Sequence, residues 1–241
     1  MKKALVFVTA ISCVAVLGTV AHAQCGVLGA ECLVDGDFRL ATPGGQTSNS
    51  TWSLNVDFPD GTGSAAQFQG GFGDADNVAN PGGTGVWFKT FEGMQAAGDP
   101  PANATLSQST PPVLAGGAYK LDFVAGRETN FTAESFSVTL SSSGTGGSTS
   151  IDLLNAPMIL GNIGGAASPA LGGNPFSLLL GGVSAGDVLT VTGAMVNGVV
   201  APVNPQSGFL DSFSLTRVPE PASAVLGLIA MLGLFGLVRR R

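Results

Sequence analysis

Ser135-Phe136-Ser137-Val138-Thr139-Leu140 alternates hydroxyl and apolar side chains without a break. A backbone whose side chains repeat every two residues sends such a run to opposite faces, one toward a core and one toward water. Tyr119, Leu121 and Phe123 against Lys120 and Asp122 repeat the pattern, and so do Leu189 and Val191 against Thr190 and Thr192. Runs of this kind are half-buried antiparallel strands. Further strand candidates lie at 32–40, 51–58, 65–69, 86–91, 104–107, 150–154, 177–180 and 208–216. Together they make about ten or eleven short strands separated by Gly, Ser, Asn and Pro. The chain carries 36 Gly and 14 Pro in 241 residues, which helix interiors tolerate poorly. The expected fold class is all-β, a single antiparallel β-sandwich of the jelly-roll kind. No internal repeat points to a propeller or solenoid. Residues 141–148 and 161–173 read as loops.

The two ends carry different signals. Lys2 and Lys3 precede an uncharged apolar run, and Ala21-His22-Ala23 is a small-residue cleavage site before Gln24. Residues 1–23 therefore read as a secretory signal peptide. At the other end, 222–238 is free of charge and spans about 25 Å as a helix, enough for one membrane crossing. Arg239, Arg240 and Arg241 follow it, which by the positive-inside rule holds the tail in the cytoplasm. Just before the span, Val218-Pro219-Glu220-Pro221 cannot join a helix or an interior strand, so it reads as extended and exposed.

These last three parts, in this order, resemble the PEP-CTERM sorting signal. The resemblance implies export from a Gram-negative-type cell and recognition by an exosortase, a membrane-embedded protease that cuts near the motif. The transmembrane helix is then a transient address, and the protein ends at the cell surface or outside the cell. The expected organisation is a signal peptide at 1–23, an exported sandwich at 24–217 and a sorting signal at 218–241. Export machinery and signal peptidase are its first partners.

Charge and histidine content exclude several function classes. Between Gln24 and Pro221 stand all 16 acidic residues, against Arg39, Lys89, Lys120, Arg127 and Arg217. No basic stripe exists for a phosphate backbone, so nucleic acid is not a partner. The only histidine, His22, lies in the signal peptide. A mature chain without it runs no Ser-His-Asp or Cys-His mechanism and holds no His-ligated zinc. Cys13 leaves with the signal peptide, while Cys25 and Cys32 reach an oxidising space, where a disulfide closing their short loop is the simplest state. Two free thiols are the alternative.

The middle of the chain has a family likeness of its own. Leu33-Val34-Asp35-Gly36-Asp37-Phe38 resembles the opening strand of galactose-binding-like jelly rolls, the architecture of many carbohydrate-binding modules. Gly208-Phe209-Leu210-Asp211-Ser212-Phe213-Ser214-Leu215 resembles their closing strand. Segments 85–93 and 104–108 resemble stretches common in exported PEP-CTERM proteins. Arg39 stands where the family pattern prefers glutamate. The resemblance implies a structural calcium ion between the opening and closing strands. Asp35 and Asp37 would supply oxygens together with Asp211, which regular alternation places inward with Phe213 and Leu215. A bulge turning Asp211 outward, or a bond from it to Arg39, is the alternative. Asp74-Ala75-Asp76-Asn77 is a second, acidic-turn candidate for calcium.

The aromatic residues set the choice between function classes. Trp52 and Trp87 are candidates to stack on sugar rings, though each sits in a strand run where a core role competes. The expected function is a non-catalytic structural or adhesive protein of the cell envelope or extracellular matrix, with polysaccharide or other matrix components as partners. The alternative is a surface-displayed carbohydrate-binding module. A carboxylate-based glycoside hydrolase is the remote third, since it needs two acids flanking one bond and no spacing singles out a pair. An outward aromatic pair would favour glycan binding, and fully buried aromatics a structural role. Replacing Glu220 with Ala should leave the tail attached and the protein in the membrane fraction, as read by fractionation and intact mass. Processing of that variant at the parent's rate would contradict the sorting role.

Overall fold

The computed structural model describes residues 25–48, 51–57, 64–70, 83–92, 99–160, 173–200 and 207–220. The cleavage site Ala21, Ala23 and Gln24, the acidic turn 74–77, Pro221, the span 222–238 and Arg239, Arg240 and Arg241 lie outside these residues, as does most of the 161–173 loop. Among the described residues no helix is long and apolar enough to cross a membrane.

Ten strands are described: β1 (Ser53–Val56), β2 (Ala66–Gly70), β3 (Thr84–Lys89), β4 (Ala102–Ser109), β5 (Gly117–Arg127), β6 (Ser135–Ser142), β7 (Ser148–Asp152), β8 (Asn174–Val183), β9 (Leu189–Gly198) and β10 (Ser207–Val218). They form two five-stranded antiparallel sheets, ordered β1-β4-β9-β6-β7 and β2-β3-β10-β5-β8. The chain is an all-β sandwich. The alternating runs behave as their pattern requires: Tyr119, Leu121 and Phe123 are buried, and so are Phe136, Val138, Leu140, Leu189 and Val191. Phe88 of β3 meets Phe136 of β6 edge-on across the core, centroids 5.2 Å apart. Gly193 of β9 lets the sheets approach, since a Cβ there would lie 2.4 Å from the Leu210 side chain of β10. The 141–148 loop is the tip of the β6–β7 hairpin, with Ser141 paired to Ser148.

β10 organises the second sheet. It pairs with β3 through Ser207–Leu210 and with β5 along its length, with a register shift between Asp211 and Ser214. Ser212 sits at the shift with φ +53°. Beyond it, the edge of β10 that β3 leaves is taken by the N-terminal segment. Gly29 N–H donates to the Arg217 carbonyl at 3.1 Å and Cys32 N–H to that of Leu215 at 2.8 Å, and Phe213 N–H donates back to Gly36 at 2.9 Å. The opening and closing segments are therefore neighbours, but 32–40 is not the strand expected of it. Asp35 and Phe38 have φ of +56° and +52°, which curls the segment. Gly36 is pressed so close that a Cβ would lie 1.8 Å from the Phe213 carbonyl oxygen.

Two clamps hold this segment. Cys25 and Cys32 form a disulfide with Cα atoms 4.6 Å apart. The Glu31 carboxylate accepts the N–H groups of Leu33 at 2.9 Å and Leu215 at 2.8 Å, and the Ser214 hydroxyl at 2.6 Å. Glu31→Ala would strand those donors, which costs about 1–3 kcal/mol. Glu31→Gln keeps a carbonyl acceptor and should lose less. Urea denaturation of both variants checks the order; equal stability of Ala variant and parent would remove the clamp.

Candidate functional site

Alternation places two sets of side chains on the outer face of the second sheet. In β3, Val86 and Phe88 are buried in the core, so Trp87 and Lys89 point away from it. Across the sheet, register aligns Gln67 of β2 with Trp87, Trp87 with Phe209 of β10, and Phe209 with Gly126 of β5. Phe209 is buried on this outer side, where partly buried Trp87 and Val124 pack against it as a second small cluster. Next to them Trp87 and Phe91 tilt together, centroids 5.8 Å apart.

Polar groups surround this aromatic patch. Lys89 Nζ lies 3.2 Å from a Glu92 carboxylate oxygen and 3.4 Å from Gln67 Oε1. It also sits 5.0 Å from the Trp87 ring centroid and 5.8 Å from that of Phe91, within cation–π reach of both. Gln67 Nε2 donates to Gln69 Oε1 at 2.8 Å, which extends the amide chain along the sheet edge. Lys89 is only 2% exposed. Burial pushes its pKa below the ordinary 10.5, and Glu92 offsets part of that. The arrangement combines an apolar ring, amide donors and acceptors, and an ion pair within one face. Lys89, Gln67 and Phe209 are buried, so of this set Trp87, Phe91, Gln69 and Glu92 are the partly exposed members through which the face can meet a ring and its hydroxyls.

The two tryptophans separate. Trp52 is 4% exposed and packs in the core against Phe38 at 5.1 Å and Phe213 at 5.2 Å, its Nε1–H donating to the Asp35 carbonyl at 2.9 Å. It offers no face to a ligand, which corrects the sugar-contact expectation for that residue. Tyr119 is likewise buried, its hydroxyl donating to the Ala115 carbonyl at 2.6 Å. Trp87 lies on the outer face of the sheet, half-buried against Phe209 and with its indole nitrogen shielded from solvent.

The calcium expectation is also corrected. Among the described residues no group of three or more His, Cys, Asp or Glu side chains is gathered for a metal ion, so Asp35, Asp37 and Asp211 make no such site. The Asp35 carboxylate accepts the Leu40 N–H at 3.1 Å and closes its own turn. Asp37 pairs with Arg39. Asp211 misses the core because the shift at Ser212 changes the alternation: Leu210 and Phe213 both belong to the core, and Asp211 falls on the Phe209 side, opposite Val124. There it is buried and accepts the Ser212 N–H at 2.7 Å. Val218 closes β10 opposite Ala118, and Pro219 and Glu220 follow it exposed. Lys89, Glu92, Gln67 and Gln69 were not singled out from sequence, although Trp87-Phe88-Lys89 already places the two outer residues on one face.

No protein-family model matches this sequence, and no curated protein matches it. Some solved structures are loosely similar to it. TmCBM61 in complex with β-1,4-galactotriose is 18% identical over 78% of this chain and 98% of that one, with a TM-score of 0.47. The K1 cleaved adhesin domain of Lys-gingipain from Porphyromonas gingivalis is 14% identical over 76% and 96%, with a TM-score of 0.42. A putative sugar binding protein from Bacteroides thetaiotaomicron is 10% identical over 78% and 99%, with a TM-score of 0.40. At these identities no residue role transfers.

The Lys89 charge is held at a cost to folding. Lys89→Met alone leaves the nearly buried Glu92 carboxylate without its counter-charge and should destabilise by about 3 kcal/mol, whereas Lys89→Met with Glu92→Leu removes both charges and should be neutral or stabilising by about 1 kcal/mol near neutral pH. The unfolded chain keeps the Lys89 proton up to a higher pH than the folded chain does. Parent stability therefore rises with pH between the lowered folded pKa and 10.5, and the advantage of the double variant over the parent shrinks over that window. Denaturation of both proteins across this range reads the difference directly.

Proposed function

We propose that this chain is an exported, non-catalytic β-sandwich that binds polysaccharide on the outer face of its second sheet, centred on Trp87. The observation that carries this reading is the outward Trp87–Phe91 pair, flanked by Gln67, Gln69, Lys89 and Glu92. The other large aromatics, Trp52 and Tyr119, are core residues and explain nothing beyond packing. A binding role also suits the absence of histidine after residue 22.

Delivery follows the sequence signals. The reading is a jelly-roll module that leaves the cytoplasm behind its 1–23 signal, is held briefly by 222–238 and is released by an exosortase at Pro219-Glu220-Pro221. The function is then adhesive: a module joining the cell surface or its matrix to polysaccharide. The released or anchored protein is tested on a glycan array, then by isothermal titration with the oligosaccharides it retains. Trp87→Ala should weaken binding at least tenfold, about 1.4 kcal/mol, while the thermal melt stays within a few degrees of the parent. Undiminished binding by that variant would move the site elsewhere.

A further inference from the structure

The outer face of the first sheet has a different chemistry from the Trp87 face. Register lines up Ser53, Ser107, Thr192, Thr139 and Ser150 in one row crossing all five strands β1-β4-β9-β6-β7. A parallel row, Ser109, Thr190, Ser141 and Ser148, crosses the last four. The residues between these positions, among them Leu106, Val138, Leu140 and Val191, fill the core, so both rows face outward. All their members are partly or fully exposed. Asp152, at the β7 edge, is the charged residue these strands place on the face, and its carboxylate accepts the Leu154 N–H and the Asn155 amide of its own turn.

An exposed sheet face of a soluble domain ordinarily mixes Lys, Glu and Asp among its polar residues. Here hydroxyls stand in their place on every strand. Neighbouring strands are about 4.8 Å apart, so the first row spans about 19 Å, and the rows lie about 6.8 Å apart along the strands. Ser109 and Thr190 bond to each other at 2.8 Å. Among the described residues no protein hydrogen bond reaches the side chains of Ser107, Thr192 or Thr139, so each can both donate and accept outward.

From this array we infer a second binding surface, for an extended neutral polysaccharide laid across the strands. A hydroxyl row with no charge matches a polymer of hydroxyls with no charge. Its step from strand to strand is close to the advance of an extended pyranose chain per sugar. Polyanions gain nothing there, and a second copy of the chain would find no apolar centre to bury. Each hydroxyl bond competes with water and is weak alone, so binding depends on many sugars engaging at once. Long polymers are therefore bound and short oligosaccharides are not, the reverse of a site built on one tryptophan. This surface stands without the Trp87 reading. If both hold, the two faces lie on opposite sides of the sandwich, and one molecule bridges two polysaccharide chains.

The test measures retention of the full chain on cellulose, curdlan and β-1,4-galactan, and its binding to their hexasaccharides in solution. Thr139→Val with Thr192→Val removes two central hydroxyls while keeping shape and strand preference; Thr139→Lys with Thr192→Lys places charge there. Thermal melts confirm that each double variant is folded. Both should lose at least tenfold in retention on the polymers and leave hexasaccharide binding unchanged. Trp87→Ala should still be retained on at least one polymer. Equal retention of the parent and both double variants overturns the surface, and so does loss of all polymer binding in Trp87→Ala. Self-association of the parent that the double variants abolish would assign the face to a second copy and overturn it too. Failure of the Trp87 reading shows separately, as unchanged hexasaccharide binding in Trp87→Ala.

Discussion

The irregularity at Ser212 is the constraint from which the rest follows. A non-glycine residue at φ +53° costs about 1 kcal/mol or more and persists only where its surroundings require it. Two core positions require it here. Leu210 must fill the gap facing Gly193, Phe213 must stack on Phe123 at 5.5 Å, and regular alternation cannot place both inward. The extra residue also lets β10 change partners along one edge, from β3 to the N-terminal segment. Glu31 and the Cys25–Cys32 disulfide then secure that segment against the part of β10 beyond the shift.

The same irregularity makes the aromatic face. Because the alternation changes at Ser212, Phe209 and Asp211 lie on the outer side of the sheet while Phe213 faces the core, and Phe209 packs beside Trp87 across the strand pair. A tryptophan packed beside a buried phenylalanine on the neighbouring strand, with Lys89 and Glu92 next to it, is held in place before any ligand arrives. Rigid presentation of this kind lowers the entropy lost on binding. The opposite sheet lacks such irregularity across its middle, where β4, β9, β6 and β7 run in register. Regularity there gives rows of like side chains, and irregularity here gives a compact aromatic and charged cluster.

Much of the sandwich was legible because its strands obey a local rule. The runs 119–123, 135–140 and 189–192 alternate cleanly, and each buries the face its apolar residues define. Reading failed where a distant contact decides. Residues 32–40 alternate well enough to suggest a strand, yet Gly36 must fit beneath the Phe213 carbonyl and the segment bends. Asp211 was read inward by the same alternation that Ser212 breaks. Trp52 and Trp87 look alike in sequence, each in a strand run, and differ only in which face their strand turns to the partner sheet. The hydroxyls of Ser137, Thr139, Thr190 and Thr192 were visible one strand at a time. Their alignment in rows depends on the order β1-β4-β9-β6-β7, which no local pattern encodes.

The chain contains 2 tryptophans, and that makes the central claim unusually direct to measure. The indole N–H signals of Trp52 and Trp87, assigned in a nitrogen–proton correlation spectrum with a Trp87→Phe variant, are followed while an oligosaccharide retained on the glycan array is added. Binding on the outer face of the second sheet shifts the Trp87 signal in a saturable way and leaves Trp52, sealed in the core, where it was. A saturable change elsewhere in the spectrum with the Trp87 signal unmoved would place the glycan on another surface and contradict the assignment.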